Sequence, residues 1–271
     1  MWLRGIGGAG NFDITEDADV DMSSRGVIGG FDHRVRDFVV GAVGSYSDHD
    51  LDQDLPISDT EIASWRIGGY GRWQPSQYHF DAVMSYGEDR LDTARVLALG
   101  LLTRTARGDF EGETLHAYVE AGYTIDRLLP DVEPFLGLQW ASQQLDAHSE
   151  AGAGALNLVV PQTTTDSVRT LAGARLRFGH DAHRGAINTE IRAAWSHEFG
   201  DGGGGSARLA GDPLGTIFAI RGADAPRDSA LIGAGVAYEK SRRWRFFADF
   251  DAEVNAAQEV FSVSAGLRYS W

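Results

Sequence analysis

The residues best equipped for chemistry in this sequence recur at alternate positions. Arg66 and Arg72, Glu120, Arg175 and Arg177, Glu190 and Arg192, Asp249, Asp251 and Glu253, and Arg268 all sit between apolar or small neighbours. Residues two apart share one face of a strand. Opposite charges on that face can pair across adjacent strands. Two same-face pairs could move a proton, His79 with Asp81 and His116 with Glu120, but both read more simply as hydrogen-bonded groups on a polar wall. His180 and His183 lie close together in an expected turn without a third ligand, so no metal site is expected. There is no Gly-x-Ser-x-Gly elbow, and Lys240 is the only lysine, in Glu239-Lys240-Ser241, which is no phosphate-binding loop. No helix is expected after the glycine run Gly202–Gly205, so it is no phosphate cradle. The sequence therefore offers no catalytic, cofactor-binding or metal-binding set. Its charges read as an electrostatic ladder around a wet lumen.

The opposite faces explain where such a ladder would sit. The final stretch puts Phe261, Val263, Ala265, Leu267, Tyr269 and Trp271 on one side and Ser262, Ser264, Gly266, Arg268 and Ser270 on the other. That period of two marks a strand. Similar alternation runs through about twelve segments, and their apolar faces carry no charge over their central parts. A water-facing sheet has no reason to exclude charge so consistently, whereas an arginine on a lipid-facing wall costs ~2–4 kcal/mol at mid-bilayer.

Aromatic spacing supports the same reading. Phe38 and Tyr46, Trp65 and Trp73, Tyr78 and Tyr86, and Phe261 and Tyr269 each lie eight apart on one face. Eight residues span roughly 26 Å along a strand. At a tilt of ~40° this is about 20 Å of height, close to the apolar band between two aromatic girdles. Tyr123, Phe178, Tyr238 and Trp244 are expected in the turn-side girdle, and Trp140 and Trp195 in the loop-side one. The expected fold is all-β: a transmembrane, antiparallel, up-and-down barrel of about twelve strands. Its connections are expected to alternate short and long. Turns are expected at His33–Arg36, around Pro75-Ser76, from Arg127 to Val132, at His180–Arg184 and at Ser241–Arg243. Loops are expected at Asp48–Ser58 (with Pro56), about 97–103, about 148–166 and about 199–227.

Composition fits and excludes. The 271 residues carry a formal net charge of -15, which argues against nucleic acid as a partner. There is no cysteine, hence no disulfide framework. No apolar run approaches the ~20 residues of a membrane helix. Mean hydropathy is -0.24, an average that an alternating barrel and a soluble protein share. No signal peptide precedes Trp2, so residues 1–271 read as one barrel domain, a fragment lacking a leader and whatever came before it.

Several short motifs then point one way. Ser264-x-Gly266-x-x-Tyr269-x-Trp271 resembles the C-terminal insertion signal of bacterial outer-membrane barrels. Together with Trp2-x-Arg4, Gly26-x-x-x-Gly30-x-Asp32, Gly41-x-x-x-Ser45-Tyr46-Ser47 and Glu120-x-Gly122-Tyr123, it makes the whole chain resemble the translocator domain of autotransporters, the type V secretion family. The resemblance implies a monomeric barrel in the outer membrane of a Gram-negative bacterium, without enzymatic activity. Its partners would be outer-membrane lipid and lipopolysaccharide, its own passenger segment in the lumen, and the barrel-assembly machinery. It implies a helix before the first strand, which this chain does not contain, and no passenger-cleaving residue can be carried over. The rival readings are a porin-like diffusion channel, an outer-membrane barrel enzyme and a soluble β sandwich.

Overall fold

The computed structural model describes residues 1–15, 18–54, 57–126, 130–182, 185–200, 203–221 and 226–271. Pro56, Arg127, His183, Arg184 and Gly202, placed above in turns or loops, lie outside these. Twelve strands form the wall: β1 (Trp2–Thr15), β2 (Ala18–Val35), β3 (Phe38–Gln53), β4 (Ser58–Trp73), β5 (Tyr78–Leu99), β6 (Leu102–Tyr123), β7 (Asp131–Leu145), β10 (Thr163–Ala182), β11 (Gly185–Glu198), β14 (Asp228–Glu239), β15 (Trp244–Asn255) and β16 (Gln258–Tyr269). They close into one antiparallel barrel in up-and-down order. The closing seam pairs β1 with β16, from Trp2 opposite Arg268 to Phe12 opposite Gln258. Closure leaves no free edge in the wall, as a membrane-spanning sheet requires.

Burial is inverted relative to a water-soluble domain. The largest fully buried side chains are His79, Glu133 and Ser196, whereas Ile67 (58%), Met84 (60%), Leu136 (67%) and Val263 (58%) are exposed on the outside. A water-soluble domain buries such residues and rarely exposes a large apolar surface. Trp65, Trp195 and Trp271 are also exposed, not gathered in a dry interior. Among the described residues no helix is long and apolar enough to cross a membrane.

The strands run further than the alternation of the sequence suggests. Of the expected loop Asp48–Ser58, Asp48 to Gln53 are strand, because β3 continues to Gln53, and β4 begins at Ser58. The stretch 97–103 is a tight turn at Gly100-Leu101, with Gly100 at φ +63°, between two strands of 22 residues each. β2 runs to Val35, so the turn falls at Arg36-Asp37, and His180 belongs to β10. At the other end, β16 stops at Tyr269, and Ser270 and Trp271 lie beyond it. The physical reason is common to the first group. Above the loop-side aromatics the outer face meets water, apolar alternation ceases, and only backbone pairing continues. For the same reason outer connections are not uniformly long. β5 and β6 extend as a projecting hairpin, and β15 turns into β16 at Ala256-Ala257.

The two long outer connections are not irregular either. They contain β8 (His148–Ser149), a single 3-10 turn (Gly154–Leu156), β9 (Leu158–Val160), β12 (Gly204–Leu209) and β13 (Phe218–Arg221), and the strands make a small sheet of order β13-β12-β9-β8. This sheet leans on the lumen-facing side of the β5–β6 hairpin. Arg95 forks onto the Glu150 carboxylate at 3.1 and 2.6 Å, Arg104 donates to the Ala153 carbonyl at 2.9 Å, and Phe110 stacks on His148 at 3.8 Å.

The water-exposed upper wall of β2–β6 is acidic in register. Asp21, Asp52 and Asp59 stand side by side across three strands, and Asp50, Glu61, Asp92 and Asp109 across four. Like charges directly opposite each other destabilise a sheet. Raising salt from about 10 mM to about 150 mM shortens the screening length from ~30 to ~8 Å. Limited proteolysis of the projecting hairpin is therefore expected to slow as salt rises. An unchanged or faster rate would contradict this account of the collar.

Candidate functional site

The lumen wall gathers the charges that the sequence places on alternate positions. β5, β6, β7 and β10 meet around two buried carboxylates. Arg175 forks onto Glu120 at 2.6 and 2.7 Å and reaches Glu133 at 3.1 Å. Arg177 forks onto Glu133 at 2.5 and 2.9 Å and donates to Glu190 at 3.0 Å. Tyr118 donates to Glu120 at 2.5 Å, Thr124 donates to Glu133 at 2.8 Å, and His79 Nε2 lies 3.0 Å from Glu120. The Arg175 guanidinium also lies over the Phe135 ring at 4.0 Å. Gly122 matters here, because a Cβ on it would run into the His79 ring.

The ladder continues around the barrel. Arg192 donates to Glu190 at 3.3 Å and forks onto Asp251 at 2.8 and 2.6 Å, with Asp249 at 3.8 Å. Arg169 pairs with Glu253, and Arg268 with Asp32. Arg4 reaches Asp249 at 3.0 Å, and Arg72 sits 2.9 Å from Asp81. Higher in the lumen Asp89 accepts from Ser64 at 2.5 Å, Thr114 at 2.7 Å and Arg66 at 3.5 Å. Every charge singled out from the sequence thus has an oppositely charged partner on another strand. His79 joins Glu120 rather than forming an isolated pair with Asp81, which stays 3.9 Å away. The bonds of Glu120 go to His79, Tyr118 and Arg175, leaving His116 out of the cluster.

Parity puts Tyr70, Tyr118 and Arg169 on the polar faces of their strands without showing their partners, and it does not single out Glu133 or Asp89. Glu133 falls just after the expected turn, which ends at Val132, and its parity opposite Pro134 and Leu136 puts it on the lumen face. Asp89 was hidden in the charged upper part of β5. Ligand atoms of His79, Asp81 and Glu120 lie within 4.8 Å of one another. Glu120 and Asp81 already hold an arginine each, so the site is built as ion pairs and offers a cation no free charge.

A cavity of about 1640 Å³ opens below this cluster towards the turn-side mouth, with Met1, Trp2, Asp32, Tyr70, Arg268 and Trp271 among its lining. Tyr70 donates to Asp32 at 2.7 Å and accepts from the Trp2 indole at 2.8 Å. A Cβ at Gly41 would strike the Tyr70 ring at 2.5 Å, so that glycine gives the phenol its seat. Met1 is held at the same mouth by the Tyr269 carbonyl, at 2.9 Å.

On the outside, the aromatics meet in two sets. Phe38 stacks on Trp73 at 5.7 Å and Trp73 on Phe80 at 5.4 Å; Tyr78 meets Tyr123 at 4.9 Å, and Trp244 meets Tyr269 at 4.9 Å. At the other end Trp65 meets Tyr86 edge-on at 6.0 Å, and Tyr46 is opposite Trp65 in register. Trp140 lies opposite Ala117 and Val168, and Trp195 opposite Ala172 and Ala230. Phe178 pairs with Thr189, and Tyr238 with Ile187 and Phe246. Phe250 and Phe261 stack at 6.3 Å. The polar tips of the upper set donate to carboxylates: Tyr46 to Asp48 at 3.0 Å, Tyr86 to Glu88 at 3.2 Å and Trp195 to Asp228 at 2.9 Å. Amphipathic rings with one end apolar and the other wet belong at such a boundary. Of the terminal motif, Ser264 faces the lumen, and Gly266 lets the Phe247 ring and the Leu3 carbonyl occupy the space a Cβ would need.

Known proteins share this architecture. The translocator domain of the autotransporter NalP from Neisseria meningitidis matches with a TM-score of 0.82 at 14% identity, covering 100% of this chain and 88% of that one. In sequence, the chain is 26% identical over 209 residues to the esterase EstA of Pseudomonas aeruginosa, covering 73% of this chain and 31% of that protein. It is 22% identical over 273 residues to an extracellular serine protease of Serratia marcescens, covering 99% of this chain and 26% of that protein. The chain thus spans about a third or less of these relatives. The family model described as autotransporter beta-domain matches residues 1–251. With a closed twelve-strand wall and a model match over most of its length, the chain belongs to the autotransporter beta-domain family.

Proposed function

We infer that this barrel is the outer-membrane translocator of an autotransporter, anchoring an N-terminal passenger and helping carry it to the cell surface. The observation that carries this reading is the position of Met1. It lines the turn-side mouth of a large, charged lumen, so a polypeptide joined to it starts at the lumen and has the outer mouth ahead of it. The apolar outer face between aromatic sets supports a place in the outer membrane of a Gram-negative bacterium. There lipid and lipopolysaccharide surround residues 1–271 as one monomeric barrel domain. The two outer aromatic sets serve as its girdles, the lumen charges as its structural ladder, and Ser264, Gly266, Tyr269 and Trp271 as the signal read by the barrel-assembly machinery. The barrel itself is not an enzyme, and any catalytic activity belongs to the passenger.

The test joins a leader and an epitope-tagged passenger to Met1 and asks which surface displays it. Intact cells are expected to bind antibody and to lose the tag to external protease. Substituting Tyr269→Ala with Trp271→Ala is expected to abolish display by preventing assembly. A folded, inserted barrel whose passenger stays protected inside the cell would overturn the reading. That outcome, with ion conductance across planar bilayers, would favour a diffusion channel through the same lumen.

A further inference from the structure

We propose that the β1–β16 seam is a one-ended gate, locked at its turn-side end by two strand-skipping ion pairs and free to part from its outer end. Arg4 on β1 reaches over β16 to Asp249 on β15, at 3.0 Å. Arg268 on β16 reaches over β1 to Asp32 on β2. The two ties cross in opposite directions at neighbouring rungs, where Trp2 pairs with Arg268 and Arg4 with Gly266. Separating β1 from β16 must break both, because each joins atoms from opposite sides of the seam. Most pairs elsewhere in the ladder bridge strands that remain neighbours or lie on one side of the seam. Asp32 is further tied to β4 through Tyr70, which also accepts from Trp2, and the Arg4 guanidinium lies over the Phe247 ring at 4.9 Å.

The rest of the seam is different. Above these rungs β1 presents Gly7, Gly8 and Gly10, opposite Val263, Ser262 and Val260. Among the described residues, no ion pair crosses the seam on the lumen side there. Glycine within a strand weakens it and leaves nothing to pack. On the outer face a hollow of about 760 Å³ lies at the border between the two halves, with Gly5, Gly7, Ala234, Ala248 and Ala265 in its lining. Backbone pairing, with Val260 and Val263 lying against Gly10 and Gly7, therefore holds the outer half without a charged tie, and local opening follows where few contacts back the hydrogen bonds. This asymmetry belongs to the barrel itself and does not require a passenger.

The test is residue-resolved amide exchange on the folded chain in lipid vesicles. Amides of Gly7–Asn11 are expected to exchange about tenfold or more faster than those of Leu3–Gly5. In Arg4→Met/Arg268→Met the Leu3–Gly5 amides are expected to rise to the rate of the outer half, while β4–β5 amides stay unchanged. Arg72→Met removes a comparably exposed pair between adjacent strands and is expected to leave the seam unmoved. If the double variant does not fold, the unmodified chain in about 1 M salt, with a screening length of about 3 Å, serves instead. There, exchange at Leu3–Gly5 should rise while that at Gly7–Asn11 holds. Equal protection at both ends of the seam overturns the proposal. So does a turn-side end indifferent to the double substitution and to salt, or a seam that loosens equally in Arg72→Met.

Discussion

Arg175→Met is expected to destabilise the folded barrel by about 3–5 kcal/mol, the cost of breaking a buried ion pair by removing one partner. The Arg175 side chain is only 16% exposed, and the Glu120 and Glu133 side chains it bridges are 2% and 1% exposed. Without it two carboxylates stay in the wall, Glu120 with only Tyr118 and His79 beside it, and Phe135 loses the cation over its ring. Arg90→Met is the contrast. Its pair with Glu111 is 65% exposed on both sides, and such surface pairs are worth ~0–1 kcal/mol. Urea titration in vesicles, followed by tryptophan fluorescence, compares the two. Pairing Arg175→Met with Glu120→Gln should recover part of the loss, since the second change removes one stranded charge. Equal effects from Arg175 and Arg90 would mean that the lumen cluster is not desolvated.

The second large effect separates the two faces of one strand. Ala42 and Val43 are neighbours near mid-height on β3. Ala42 shares the outward face of Phe38 and Tyr46, whereas Val43 lines the lumen cavity. Ala42→Arg is expected to cost ~2–4 kcal/mol, the penalty for arginine at the bilayer midplane. Val43→Arg enters a wet space of about 1640 Å³ and should cost less than about 1 kcal/mol, as a solvated surface change does. The same urea titration measures both. Similar penalties at the two positions, or the reverse order, would remove the basis for assigning lipid to one side and water to the other.

The wall was legible in the sequence where two solvents act on it. Between the aromatic sets each strand meets hydrocarbon on one side and water on the other, so Phe38 to Tyr46 or Trp65 to Trp73 alternate plainly. Where both faces meet water the signal stops. Asp48 to Gln53 and Leu97 to Leu99 therefore read as loops although their backbones stay paired. The lumen ladder was legible as a set of charges but not as a network. Parity places Arg175 and Glu120 on the same side of the wall, yet they sit on β10 and β6 with β7 between them. Only closure and register reveal that Arg175 reaches across. Glu133 shows the reverse: parity gives its side of the wall, but at a strand start next to the Arg127–Val132 turn nothing local gives its two arginine partners on β10. The strand-skipping ties of Arg4 and Arg268 depend on the first and last strands meeting, a contact that no local pattern encodes.

The most direct measurement uses the absence of cysteine. Single cysteines placed one at a time from Phe80 to Gly87 on β5, each carrying a spin label in vesicles, report collision with oxygen, which prefers lipid, and with a water-soluble nickel chelate. Positions 80, 82, 84 and 86 should favour oxygen, and positions 81, 83, 85 and 87 the chelate. Accessibility without that two-residue period, or chelate access on the side of Met84, would contradict a hydrocarbon-facing wall around an aqueous lumen.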